Sequence, residues 1–126
     1  MSKNTVREKV LAKAVAQTGL TTLIEVKTAN YDRLVAQIKV ATHDLDAFVI
    51  SAKASPYADY KTLRSASGSY TSPTGILLDC TGDLTAQVAA TSNTFVLDVG
   101  GFYQVKLEAS SAHAAGSAVD VYTGLR

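Results

Sequence analysis

The chain has 126 residues, the size of one domain, and at that length roughly two thirds of the surface exposed by the unfolded chain can be buried in a single core. Apolar residues reach 47% with no Trp and only three Phe, so Ala and Val supply the bulk and thin packed layers are expected. Twelve basic against eleven acidic residues leave a net charge of +1, which excludes a global field that would gather nucleic acid or an anionic membrane.

The first element in chain order is Thr5-Val6-Arg7-Glu8, a capping-box pattern in which the hydroxyl and the carboxylate satisfy free amides at a helix start. Val6, Val10, Ala14, Leu11 and Val15 follow at helical spacing, and Gly19 is a natural stop. Residues 1–19 therefore read as a short helix or arm. Lys3, Arg7, Lys9 and Lys13 against Glu8 make it basic and amphipathic. Such a segment can pack on its own domain or lie on a neighbouring subunit. Ala14-Val15-Ala16 imitates a signal-cleavage site, but Lys9 and Lys13 interrupt the apolar stretch before it, so no export is expected. No run approaches the roughly 18 apolar residues of a membrane span.

After Gly19 the period changes to two, and residues 20–126 read as one β-sandwich domain. Leu34, Ala36, Ile38 and Val40 alternate with Val35, Gln37, Lys39 and Ala41, and Phe48, Ile50, Ala52 and Ala54 repeat the pattern, as a sheet with one buried face requires. "THDLD" between the two runs predicts a turn and hence a hairpin. Further strands are expected at Thr22–Thr28, Ile76–Cys80, Leu84–Thr91, Phe95–Val99, Phe102–Ser110 and Ala118–Thr123, with Gly100-Gly101 as the corner between two of them. The fold class is all-β, an antiparallel two-sheet sandwich. A jelly roll would use the same number of strands, and periodicity does not fix strand order.

Residues 55–74, rich in Ser and Tyr and with a proline near each end, read as a long loop, and loops of this length in compact domains are commonly functional. Tyr57, Tyr60 and Tyr70 bring aromatic faces with hydroxyl handles, and Lys61 and Arg64 bring charge, a mixture suited to a contact surface. A cap over the open end of the sandwich would use the tyrosines as well. The charge is unevenly spread. Met1 to Arg64 holds ten basic and six acidic residues, and Ser65 to Arg126 two and five, an asymmetry that can help like subunits meet.

Reactive groupings are scarce. His43, Asp44 and Asp46 are better read as a turn than as a calcium loop, which needs six to eight oxygens. His113 falls in a small-residue turn. Cys80 shares the strand period with Ile76 and Leu78, reads as a small hydrophobe with no basic neighbour, and cannot form an internal disulfide as the single cysteine. "SASGSYTSPTG" lacks the Gly-Lys-Ser/Thr ending of a phosphate loop, and no Gly-x-Ser-x-Gly elbow occurs. No catalytic residue, metal ligand or cofactor is expected.

"FVLDVGGFYQVKLEAS", "SAHAAGSAVD" and "AVDVYTGLR" resemble the C-terminal part of small β-sandwich or jelly-roll virion proteins of tailed bacteriophages. The resemblance covers the last third in wording and Leu20 to Arg126 in pattern. It implies a capsid decoration (cement) protein made in the host bacterial cytoplasm and carried on the virion. The implied partners are the major capsid protein or other virion proteins and further copies of the chain, a trimer being favoured. Neither nucleic acid nor membrane is among them. Residue by residue nothing transfers. Composition alone nominates Lys3, Arg7, Lys9, Lys13, Tyr57, Tyr60, Arg64 and Tyr70 as contacts. A head-to-tail or tail component, or a carbohydrate-binding module whose tyrosines stack on sugar rings, is the alternative.

Overall fold

The computed structural model describes residues 7–15, 20–40, 45, 47–67, 76–80, 92–111 and 117–126, with main chain alone at 7–15, 65–67, 92 and 117. Nine strands lie among them: β1 (Arg7–Val15), β2 (Thr21–Lys27), β3 (Arg33–Val40), β4 (Ala47–Lys53), β5 (Lys61–Ser67), β6 (Leu77–Cys80), β7 (Ser92–Asp98), β8 (Gln104–Ser110) and β9 (Ser117–Leu125). One sheet has the order β1-β9-β3-β7-β6 and the other β2-β8-β4-β5. Every pairing is antiparallel.

The pairs nest from the outside inward: β1 with β9, β2 with β8, β3 with β7, β4 with β5. Rolling that ribbon brings β9 beside β3 and β8 beside β4. This is the strand order of a jelly roll, with β6 added outside β7.

The core lies between the sheets and follows the period-two pattern closely. Leu34, Ala36, Ile38 and Val40 of β3, Phe95 and Leu97 of β7, Val105, Leu107 and Ala109 of β8, and Val119 and Val121 of β9 are all buried. Phe48 from one sheet meets Phe95 from the other, with ring centroids 5.4 Å apart and planes inclined by 51°. Burying such side chains contributes about 1.5–3 kcal/mol each.

Several expectations are corrected. Residues 7–15 form a strand, not a helix. Valines and alanines in a short segment fit either period, and the main-chain groups along β9 supply partners that helical propensity alone does not outweigh. β3 and β4 do not form a hairpin, since they belong to different sheets. The same holds for β7 and β8, so the two-glycine corner carries the chain from one layer to the other. The loop expected at 55–74 contains β5, whose sequence KTLRSAS hides its period because it is the polar edge strand of its sheet. In β6 a register shift between Leu77 and Asp79 buries Leu77 and leaves Leu78 42% exposed, so Cys80 and Leu78 do not share a buried face. β4 buries Val49 and Ser51 as well as Phe48, Ile50 and Ala52. The strand expected at 84–91 and the turn residues His43, Asp44, Asp46 and His113 lie outside the described residues.

Candidate functional site

Three connections gather at one end of the roll: β2–β3, β4–β5 and β7–β8. Each turns for a reason written in its sequence. Thr28 to Tyr31 is closed by the Tyr31 amide donating to the Thr28 carbonyl at 3.0 Å, and Asn30 takes the left-handed conformation (φ 74°) that asparagine tolerates. Val99 to Phe102 closes in the same way at 3.1 Å, with Gly101 at φ 92°. Ser55 to Ala58 closes at 3.2 Å, with Pro56 preset for the first corner position. There the Ser55 hydroxyl accepts from the Tyr57 amide at 3.3 Å.

These turns are tied to one another. The Tyr103 amide donates to Lys53 O at 2.9 Å, and Tyr103 O accepts from the amides of Thr28 and Ala29 at 2.9 and 3.2 Å. Thr28 Oγ1 donates to Phe102 O at 3.0 Å. Asp98 Oδ1 accepts from the Gly100 amide and from Arg33 Nη1, both at 3.3 Å. Backbone groups held this way need little further ordering when a partner arrives.

Tyr60 and Tyr57 leave the same loop for opposite fates. Tyr60 lies back on the outer face of the β2-β8-β4-β5 sheet, its hydroxyl donating to Glu25 Oε2 at 2.9 Å. Lys106 Nζ stands 4.4 Å and Lys53 Nζ 5.1 Å from its ring centroid, within the range of cation–π attraction. Lys106 also meets Glu108 at 3.5 Å. Burial, then the bond to Glu25, then the charges of Glu25 and Glu108 push the Tyr60 phenol well above its ordinary range. Tyr57, by contrast, is 97% exposed at the apex. A clamped tyrosine thus anchors the loop that presents an open one. At the same end of the roll a hollow of about 230 Å³ is lined by Asn30, Ala54, Gly101, Phe102 and Tyr103.

The other sequence-nominated residues are dispersed. Arg7, Lys9 and Lys13 sit on β1 at the register positions opposite Gly124, Tyr122 and Val119. Arg64, opposite the inward-facing Ile50, is only 8% exposed. Burial lowers its pKa, and the neighbouring Cys80 acts in the opposite sense, so Cys80 does have a basic neighbour. Lys3 and Tyr70 lie outside the described residues. Sequence reading missed Tyr31, Phe102 and Tyr103, which join Tyr57 and Tyr60 around this end. The signal was present in the Gly-Gly-Phe-Tyr corner, but only the strand order brings that corner to the tyrosine loop.

Among the described residues no group of three or more His, Cys, Asp or Glu could hold a metal ion. No helix in them is long and apolar enough to cross a membrane.

No protein-family model and no curated protein matches the sequence. Solved structures do share the fold. The SPBc2 prophage-derived protein YomS superposes with a TM-score of 0.53 at 9% identity, over 98% of this chain and 97% of that one. A chain from the Bacillus endospore appendages, described as disulfide-linked pili, gives a TM-score of 0.53 at 12% identity, over 99% of this chain and 88% of the other. At such identities the likeness is one of fold.

Proposed function

We propose that the chain is a non-enzymatic structural protein of a tailed-bacteriophage particle, bound to the outside of the capsid and stabilising the shell through many contacts made at once. The observation that carries this reading is the end-to-end fold shared with a prophage-derived protein of nearly the same length. The resemblance of its strand pattern to small virion proteins points the same way. So does the build of the turn end, where hydrogen-bonded connections hold Tyr57 out from a fixed base.

In this reading Tyr57 and the basic positions Lys3, Arg7, Lys9 and Lys13 contact the major capsid protein. Tyr60, bonded to Glu25, anchors the loop that carries Tyr57, and Arg64 stays buried on β5. Purified particles should contain the chain at a copy number that follows the capsid lattice, and isolated protein should co-sediment with capsids. Tyr57→Ala should weaken that binding at least about tenfold, as loss of an exposed aromatic anchor does, without altering the unfolding midpoint. Absence from particles together with no co-sedimentation would overturn the proposal.

The hollow beside Phe102 and Tyr103 favours one second reading, recognition of a sugar ring by stacking at the same end. A glycan-array signal lost in Tyr103→Ala and retained without capsids would favour that reading over the first.

A further inference from the structure

The outer face of the five-stranded sheet is ordered by register into rows. One row runs Tyr122, Gln37, Thr94 across β9, β3 and β7. The next runs Gly124, Val35, Val96, Asp79 across β9, β3, β7 and β6. Beyond it Arg33 and Asp98 are paired at 3.3 Å, and Arg126 continues from β9 on the other side of β3.

About β3 as a midline these rows are self-complementary. Bulky Tyr122 on β9 mirrors small Thr94 on β7, and side-chain-free Gly124 on β9 mirrors Val96 on β7. Charge follows the same midline. At the Arg33 end Arg126 lies on the β9 side, while Asp98 and Asp79 lie on the β7/β6 side; at the other end Asp120 of β9 stands opposite Lys39. The six residues at the centre, Tyr122, Gln37, Thr94, Gly124, Val35 and Val96, carry no charge. A shallow depression of about 260 Å³ lies between them and the rim, lined by Val35, Gln37, Thr94, Tyr122, Gly124 and, at its charged end, Arg126. An enclosed apolar cavity of about 150 Å³ already holds benzene, so the depression has room for side chains of an opposing face.

We propose that this face pairs with the same face of a second copy of the chain, about a two-fold axis running along β3. Such an axis lays β9 of one copy over β7 of the other. Tyr122 then covers Thr94, Val96 enters the space over Gly124, and Arg126 meets Asp98, each contact made twice, as an isologous interface requires. Arg33 and Lys39 approach their own symmetry mates, each with a carboxylate beside it: Asp98 at 3.3 Å from Arg33, and Asp120 opposite Lys39 in register. The uncharged centre and charged rim match the anatomy of a specific interface. A five-stranded sheet of this length offers a plane of roughly 500–600 Å² per copy, which places the pair among weak, reversible interfaces. The inference rests on the geometry of one sheet and does not depend on the particle reading.

Sedimentation velocity of the full chain over a concentration series tests it. A reversible dimer is expected, with Tyr122→Arg and Val96→Arg each raising the dissociation constant at least about tenfold while far-UV circular dichroism stays unchanged. Arg126→Asp and Asp98→Arg should each weaken self-association, and mixing the two should restore a dimer, because both cross-axis contacts then join opposite charges. A monomer at every concentration, a trimer, or a dimer indifferent to Tyr122→Arg and Val96→Arg would overturn the proposal. Both variants leave Asp98 and its bond to Arg33 in place, so the test stands even if Asp98→Arg does not fold.

Discussion

Tyr60 is a residue whose environment changes what pH does to the fold. Its hydroxyl donates to Glu25, and burial together with the Glu25 and Glu108 carboxylates holds the phenol above the ordinary value of 10.0. The native state therefore keeps this proton where the unfolded chain has begun to lose it. By linkage the stability tied to Tyr60 is intact below pH 10 and falls as pH rises from there through the raised native value. Urea unfolding of Tyr60→Phe should lose less stability above pH 10 than the parent does. An absorbance titration should show the latest-ionising phenol gone in the variant; parallel curves and an unchanged titration would refute the assignment. At neutral pH the lost hydrogen bond should cost about 0.5–1.5 kcal/mol at most. The sequence identified Tyr60 as chemically interesting but not as clamped, because Glu25, Lys53 and Lys106 come from three other strands. Gly100 and Gly101 teach the same lesson. They look equivalent in the sequence, yet only Gly101 has a positive φ, while a Cβ on Gly100 would stand 3.5 Å from Asp98 Oδ1, an ordinary contact.

At the scale of the element, strands with one buried face were readable, and of the four edge strands β2 and β6 were expected close to their bounds while β1 and β5 were not. β3 and β8 alternate because their inner faces must be apolar and their outer faces meet solvent or charged neighbours. β5 lacks that alternation, and β1 mimics a helix because a few small apolar residues fit both periods. β6 fails differently. Ile76, Leu78 and Cys80 suggest a common face, but the register shift before Asp79 rotates the strand, so Leu77 is 1% exposed and Leu78 42%. A bulge leaves no mark in a four-residue strand, since too few positions remain to reveal the change of phase. Adjacent substitutions separate the two phases. Leu77→Ala should cost about 2–5 kcal/mol as a core truncation, whereas Leu78→Ala should stay within about 0.5 kcal/mol as a surface change. Urea midpoints measured side by side decide between them. Equal costs, or the reverse order, would restore the phase that simple alternation predicts.

At the scale of the whole molecule, the two-layer class follows from the period of the strands, while their order does not. A residue facing inward satisfies the same pattern whichever strand lies beside it. Order is set instead by which strands can close a roll, and here that puts Phe48 of β4 and Phe95 of β7 opposite each other across the layers, each 1% exposed. With so few large side chains in the chain, this contact fills volume that Val and Ala cannot reach. Removing it should therefore be felt by the sandwich as a whole. Phe48→Ala should lose about 3–5 kcal/mol out of the roughly 5–15 kcal/mol that a domain of this kind holds. A double-mutant cycle with Phe48→Leu and Phe95→Leu isolates the contact between the rings. Packing of the two rings predicts a coupling of about 0.5–1.5 kcal/mol beyond the area each buries. Additive costs would mean that the rings merely fill their own sheets. Coupled costs would mean that the layers are held together at this point, and the outer faces and the turn end would then move as one body when a partner binds.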